Sequence, residues 1–199
     1  MLDCITYADK LAQILETEIK DFPEGFFDSF LYTQTGNNLT HPQTLGIISR
    51  CLWNFPEITN VGIDVRLKSD TGAKFQPDIV GFDSTNKEVV FIDYESPNSS
   101  DARIPIKDFD AYLLWRQKTN SDAPYIIITT LPNHDASDWE LRYTSKGRTN
   151  EKFRGKKSEI QKNPYRFWYN YYNLEIKKRK VKNIALINIE DKHVRRQYP

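Results

Sequence analysis

Lys74-Phe-Gln-Pro-Asp-Ile-Val-Gly-Phe-Asp-Ser-Thr-Asn-Lys-Glu-Val-Val-Phe-Ile-Asp-Tyr-Glu-Ser96 is the stretch around which the chain is organised. Two apolar runs, Ile79 to Phe82 and Val89 to Ile92, flank the turn-rich Asp83-Ser84-Thr85-Asn86-Lys87-Glu88, which lacks helical periodicity. That pattern predicts a β-hairpin. With its turn centred between Thr85 and Asn86, Asp78 lies opposite Asp93 and Gln76 opposite Glu95.

Side chains alternate along a strand, so Asp78, Asp93 and Glu95 share one face. Directly opposed side chains stand roughly 4.5–5.5 Å apart at Cβ, where like charges destabilise the pair. Three carboxylates on one patch therefore call for a cation or a shared proton. Hard oxygen donors without a neighbouring His or Cys suit Mg²⁺ or Mn²⁺.

Pro77-Asp78, a gap of 14 residues and then Asp93-Tyr94-Glu95 behind an apolar run resemble the active-site signature of the PD-(D/E)xK nuclease superfamily. The resemblance implies a restriction-endonuclease-like α/β core, in which Asp78 and Asp93 bind divalent metal and the backbone carbonyl of Tyr94 adds a ligand; Glu95, on the same carboxylate patch, is expected to join them. The third motif position is usually Lys, and here it is Glu95. Either Lys107 or Lys74 is then expected to supply the missing positive charge. Lys107 falls on the first turn of the next helix, and Lys74 shares strand parity with Asp78. The motif covers about a tenth of the chain.

At 199 residues, 39% hydrophobic and 13% aromatic, the chain is long enough for one domain with a substantial core. No window approaches the ~18 apolar residues of a membrane span, and the start lacks a signal pattern. A cytoplasmic protein without membrane association is expected. Cys4 and Cys51 form no motif and are expected to be free thiols; with only three histidines no zinc site can be drawn. The net charge of +1 hides an asymmetry: residues 1–140 carry 11 Lys and Arg against 22 Asp and Glu, residues 141–199 carry 17 against 5. The last third is thus expected to face a polyanion, unless the two halves simply attract each other.

Around the hairpin, residues 3–20 predict an amphipathic helix capped by Asp3, residues 26–31 a short second helix, and Pro42 to Asn54 a third, capped by Thr40. This last helix carries no acid, so the extra metal-site glutamate that the nuclease family often takes from it is missing; Gln43 or Glu18 is the substitute. Val61 to Leu67 alternates as a strand, with Asp64 a minor ligand candidate. Asp101 to Lys118 predicts a crossover helix, followed by Tyr125–Thr130 as a strand buried on both faces and parallel to a neighbour. Ile184 to Ile189 is a fifth strand, and the tail from Arg195 is expected to fray. The expectation is an α/β domain, a mixed sheet of about five strands flanked by helices. Three antiparallel strands, a crossover helix and a further strand also form the core order of the nuclease family.

Between 142 and 162 the chain has Arg142, Lys146, Arg148, Lys152, Arg154, Lys156, Lys157 and Lys162 with little apolar content, a composition suited to a mobile clamp on phosphates. Tyr165, Trp168, Tyr169 and Tyr172 follow at helical spacing as a packing face or a base-stacking one. Lys177, Lys178, Arg179 and Lys180 precede the fifth strand and are expected to touch phosphate. The resemblance implies metal-dependent endonuclease activity on DNA, with a homodimer as the usual route to cutting both strands. The alternatives are a non-cleaving nucleic-acid-binding protein on the same fold and a self-associating interaction domain.

Overall fold

The computed structural model describes residues 2–22, 36–95, 106–130, 174, 176–190 and 192–199. Its elements run α1 (Cys4–Ile19), α2 (Gly36–Leu52), β1 (Asn60–Ile63), β2 (Leu67–Lys68), β3 (Lys74–Phe75), β4 (Ile79–Phe82), β5 (Glu88–Glu95), α3 (Ile106–Thr119), β6 (Tyr125–Thr130), β7 (Ile184–Glu190) and β8 (His193–Tyr198). The architecture is α/β: a mixed six-stranded sheet in the order β1-β4-β5-β6-β7-β8, with helices on both faces and a separate β2-β3 pair. The expected sheet had about five strands. The sixth is β8, the tail expected to fray, which pairs antiparallel with β7.

The central hairpin forms as read. β4 pairs antiparallel with β5 through Ile79↔Ile92, Val80↔Phe91 and Gly81↔Val90, and the register shifts only next to the turn, where Phe82 faces Glu88. Asp83 organises that turn, its Oδ1 accepting from the amides of Thr85 at 2.8 Å and Lys87 at 3.0 Å. β6 lies parallel to both β5 and β7, as the crossover through α3 requires.

Alternation along the strands divides the core in two. Ile79, Val90, Ile92, Ile126, Ile128 and Ile187 face α1 and α2, while Val80, Phe91, Tyr125, Ile127, Ile184 and Leu186 face α3. The first helix is set by its cap: Asp3 Oδ1 accepts from the amides of Ile5 and Thr6, both at 3.0 Å. Leu11, Leu15 and Ile19 then recur on its buried face, and Tyr7 stacks on Phe55 at 4.3 Å. β8 is held onto this helix by Arg196, whose Nε donates to Asp9 Oδ1 at 2.5 Å, and by Val194, buried in the core. This anchoring is why the tail does not fray.

Two boundaries differ from expectation. Helix α2 begins at Gly36, six residues before Pro42, which lies inside it. Gly36, Asn37 and Asn38 are turn formers, so propensity hides this first turn. The strand expected over Val61 to Leu67 breaks after Ile63, because Asp64 adopts φ 54 in the left-handed region. The chain there leaves the main sheet for the β2-β3 hairpin and rejoins it at β4. The expected second helix at 26–31 and the aromatic segment at 165–172 lie outside the described residues. Cys4 and Cys51 are free, and burial pushes their thiols up to about 12 and about 11. Among the described residues no helix is long and apolar enough to cross a membrane.

Candidate active site

Asp78 and Asp93 meet where the first residue before β4 faces the end of β5. The two are locked by reciprocal backbone bonds: the Asp78 amide donates to Asp93 Oδ1 at 2.8 Å, and the Tyr94 amide donates to Asp78 Oδ2 at 2.8 Å. Each carboxylate thus takes over a ladder position that a backbone carbonyl would otherwise fill. Asp93 is 6% exposed, and Tyr125, on the neighbouring strand β6, donates its hydroxyl to Asp93 Oδ2. The Tyr125 ring is itself fixed by Tyr112 at 4.8 Å and by the edge of Phe75 at 5.8 Å.

The side of Asp78 left open by these bonds faces His41. Its Nε2 lies 3.4 Å from Asp78 Oδ1, and its ring lies 5.6 Å from that of Tyr94. The hydrogen bond to Asp78 raises the imidazole above its ordinary value of 6.5; the charges of Asp78, Asp64 and Asp93 add to that, while burial pulls the other way. Asp64 belongs to the same end of the sheet, with its amide donating to the Asp78 carbonyl at 2.9 Å. Two residues beyond Asp93, the backbone of Glu95 is in register with Thr129, and Thr129 with Asn188. The Thr129 hydroxyl donates to Asn188 Oδ1 at 3.1 Å, a buried neutral polar pair on the strands beyond.

Sequence reading brought Asp78 and Asp93 together but missed His41 and Tyr125. A histidine immediately before the proline of a helix, and a tyrosine leading an Ile-Ile-Ile strand, read as a surface group and a core group. Only the parallel pairing of β5 with β6, which the crossover predicts, could have pointed to a partner for Asp93 on Tyr125-Thr130.

The remaining candidates are scattered. Lys74 is exposed on β3, in a different sheet from β4, which Asp78 precedes, so the parity that linked the two is interrupted. Lys107 is on the first turn of α3 and Glu95 ends β5; the side chains of both lie outside the described residues. Gln43 is exposed on α2, and Glu18 forms an ion pair with Arg50. Arg142, Lys146, Arg148, Lys152, Arg154, Lys156, Lys157 and Lys162 lie outside the described residues. Lys177, Lys178 and Lys180 are exposed, whereas Arg179 is joined to Asp110 of α3 at 2.8 Å.

The donor set at Asp78 and Asp93 is of the hard-oxygen kind that suits Mg²⁺ or Mn²⁺. A carboxylate oxygen has two lone pairs, so one that accepts an amide bond can still hold a cation. Among the described residues no three His, Cys, Asp or Glu groups converge as a complete metal centre. No protein-family model matches the chain, and comparison with curated proteins and with solved structures finds no significant similarity.

Proposed function

We propose that the chain is a metal-dependent endodeoxyribonuclease similar to the PD-(D/E)xK nucleases, hydrolysing phosphodiester bonds of DNA. One observation carries the reading: Asp78 and Asp93 stand side by side at adjoining strand ends, each fixed by a backbone amide at 2.8 Å. The antiparallel β1-β4-β5 group, the crossover through α3 and the parallel strand β6 also agree with the core order of that superfamily.

In this reading Asp78, Asp93, Glu95 and the Tyr94 carbonyl hold one or two Mg²⁺ or Mn²⁺ ions. A divalent ion there lowers the pKa of a water and stabilises charge on the attacking and leaving oxygens of the phosphate. Tyr125 keeps Asp93 in one rotamer and His41 keeps Asp78 in one, so the acids are oriented before substrate arrives. Lys107 or Lys74 orients the water or screens the pentacoordinate charge. The basic stretches at 142–157 and 177–180 bind the backbone.

A second reading, a DNA-binding protein that does not cleave, is favoured by another feature. All four carboxylate oxygens already meet protein donors: the amides of Asp78 and Tyr94, the Tyr125 hydroxyl and the His41 imidazole. Such a pair holds strand ends together without a cation. Incubation with supercoiled plasmid and linear duplex in Mg²⁺, Mn²⁺ or EDTA, beside Asp93→Ala and Asp78→Asn, separates the two. Metal-dependent cleavage that disappears in both variants supports the nuclease; salt-sensitive binding without cleavage by the wild type supports the second reading.

A further inference from the structure

Between Asp64 and Asp78 the chain makes a small excursion whose two faces differ sharply. Its base is closed by the Asp64 amide on the Asp78 carbonyl at 2.9 Å, so the hairpin springs directly from the acidic site. Its tip is fixed by a tight turn: Gly72 takes φ 82, its amide donates to the Ser69 carbonyl at 2.9 Å, and the Ala73 amide donates to the Ser69 hydroxyl at 3.0 Å. The inner face, Leu67, Ala73 and Phe75, packs into the α3 side of the core, with Phe75 5.1 Å from Phe91 and 6.5 Å from Trp115. That packing sets which way the outer face points.

The outer face carries Arg66, Lys68, Lys74 and Gln76, all exposed, in strict alternation with the inward residues. Lys68 and Lys74 are direct cross-strand partners. Like charges in that position destabilise a ladder. Among the described residues none of the three cations makes an ion pair, although the body of the chain is rich in acid. The hairpin has a single acid of its own, Asp70, at its turn. An unfavourable charge pair without an ion-pair partner among the described residues is complementary to an external polyanion. Arg66 and Lys68, two residues apart, are about 7 Å apart where the chain is extended, close to the distance between neighbouring phosphates of one DNA strand.

We propose that the outer face of the β2-β3 hairpin is a docking surface for the phosphate backbone of duplex DNA, with Arg66, Lys68 and Lys74 as the contacts. The inference rests on the nucleic-acid reading above and deepens it. Lys74 becomes a backbone contact on a hairpin whose base is closed by the Asp64 amide on the Asp78 carbonyl, and the hairpin guides the strand toward that base.

The test measures binding of the full chain to a fluorescent 30-bp duplex by anisotropy, from 50 to 300 mM salt in EDTA. Removing one phosphate-binding cation reduces the steepness of log K against log[salt] by about 0.9, so Lys68→Gln/Lys74→Gln lowers it by about 1.8 and adding Arg66→Gln by about 2.7. Lys68→Arg/Lys74→Arg retains the wild-type slope. Lys87→Gln/Lys118→Gln, on the β4-β5 turn and the last turn of α3, removes the same charge and keeps the slope near wild type. Wild-type binding with a slope that the hairpin variants leave unchanged, or that the control lowers equally, overturns the hairpin proposal and leaves the DNA reading standing. A wild-type protein that neither binds nor cleaves duplex DNA overturns both.

Discussion

The base of the β2-β3 hairpin and its outer face lie within a few residues of each other and are built on opposite terms. At the base, every carboxylate oxygen of Asp78 and Asp93 meets a donor, and one of the two acids is almost wholly buried. On the face, two lysines oppose each other with no counter-charge among the described residues. Internal satisfaction marks groups that the fold itself needs and orients; an unsatisfied face contributes nothing to folding and is free to serve a ligand. The contrast makes stability and binding separable: substitutions at the base should move both, those on the face only the second.

Asp93→Ala is the most severe break. It strips the acceptor from the Asp78 amide and from the buried Tyr125 hydroxyl, and should cost about 3 kcal/mol in urea unfolding; if the proposed nuclease reading holds, metal-dependent cleavage is lost as well. Tyr125→Phe leaves Asp93 in place but removes its fixed donor; a loss of about 2 kcal/mol is expected, as for a hydrogen bond to a charged group. A smaller readout comes from pH. The pKa of His41 is higher in the folded state than its ordinary value, so protonation favours the fold. Its contribution is fully present below about pH 6.5 and disappears as pH rises through the raised value; His41→Gln should flatten the thermal-stability profile across that interval. Least of all, Lys74→Thr on the outer face should change stability by no more than about 0.5 kcal/mol, in the stabilising direction, because it relieves the opposed like charges.

What was legible in the sequence was short-range. The turn chemistry of Asp83 to Glu88 set the hairpin, and that register alone put Asp78 opposite Asp93. Asp3 announced the start of α1, and the uninterrupted Ile126-Ile127-Ile128 announced a strand covered on both faces. His41 was hidden because its partner lies 37 residues away and no periodicity records tertiary proximity. Tyr125 was hidden because one side chain does two jobs, packing with its ring and donating with its tip. The break at Asp64 was invisible because a left-handed residue can interrupt a strand without disturbing the alternation of apolar and polar positions that signals one. In β8, charged Arg195 and Arg196 masked a strand whose inward residue is Val194 and whose arginine reaches an acid on α1.

The clasp between α1 and β8 also constrains the order of events during synthesis. Asp9 and Arg196 are separated by 187 positions, and His193 reaches Glu16 at 3.2 Å across a similar span. The apolar face of α1 is synthesised well before the strand that closes over it, with 187 positions between the two clasped residues. Until then Leu11 and Leu15 have an incomplete cover, and contacts of such long sequence separation are slow to form. Through that interval α1 has its packing against Phe55 and α2 available but not its cover by β8, which leaves part of its apolar face open to chaperones that hold unfinished polypeptides.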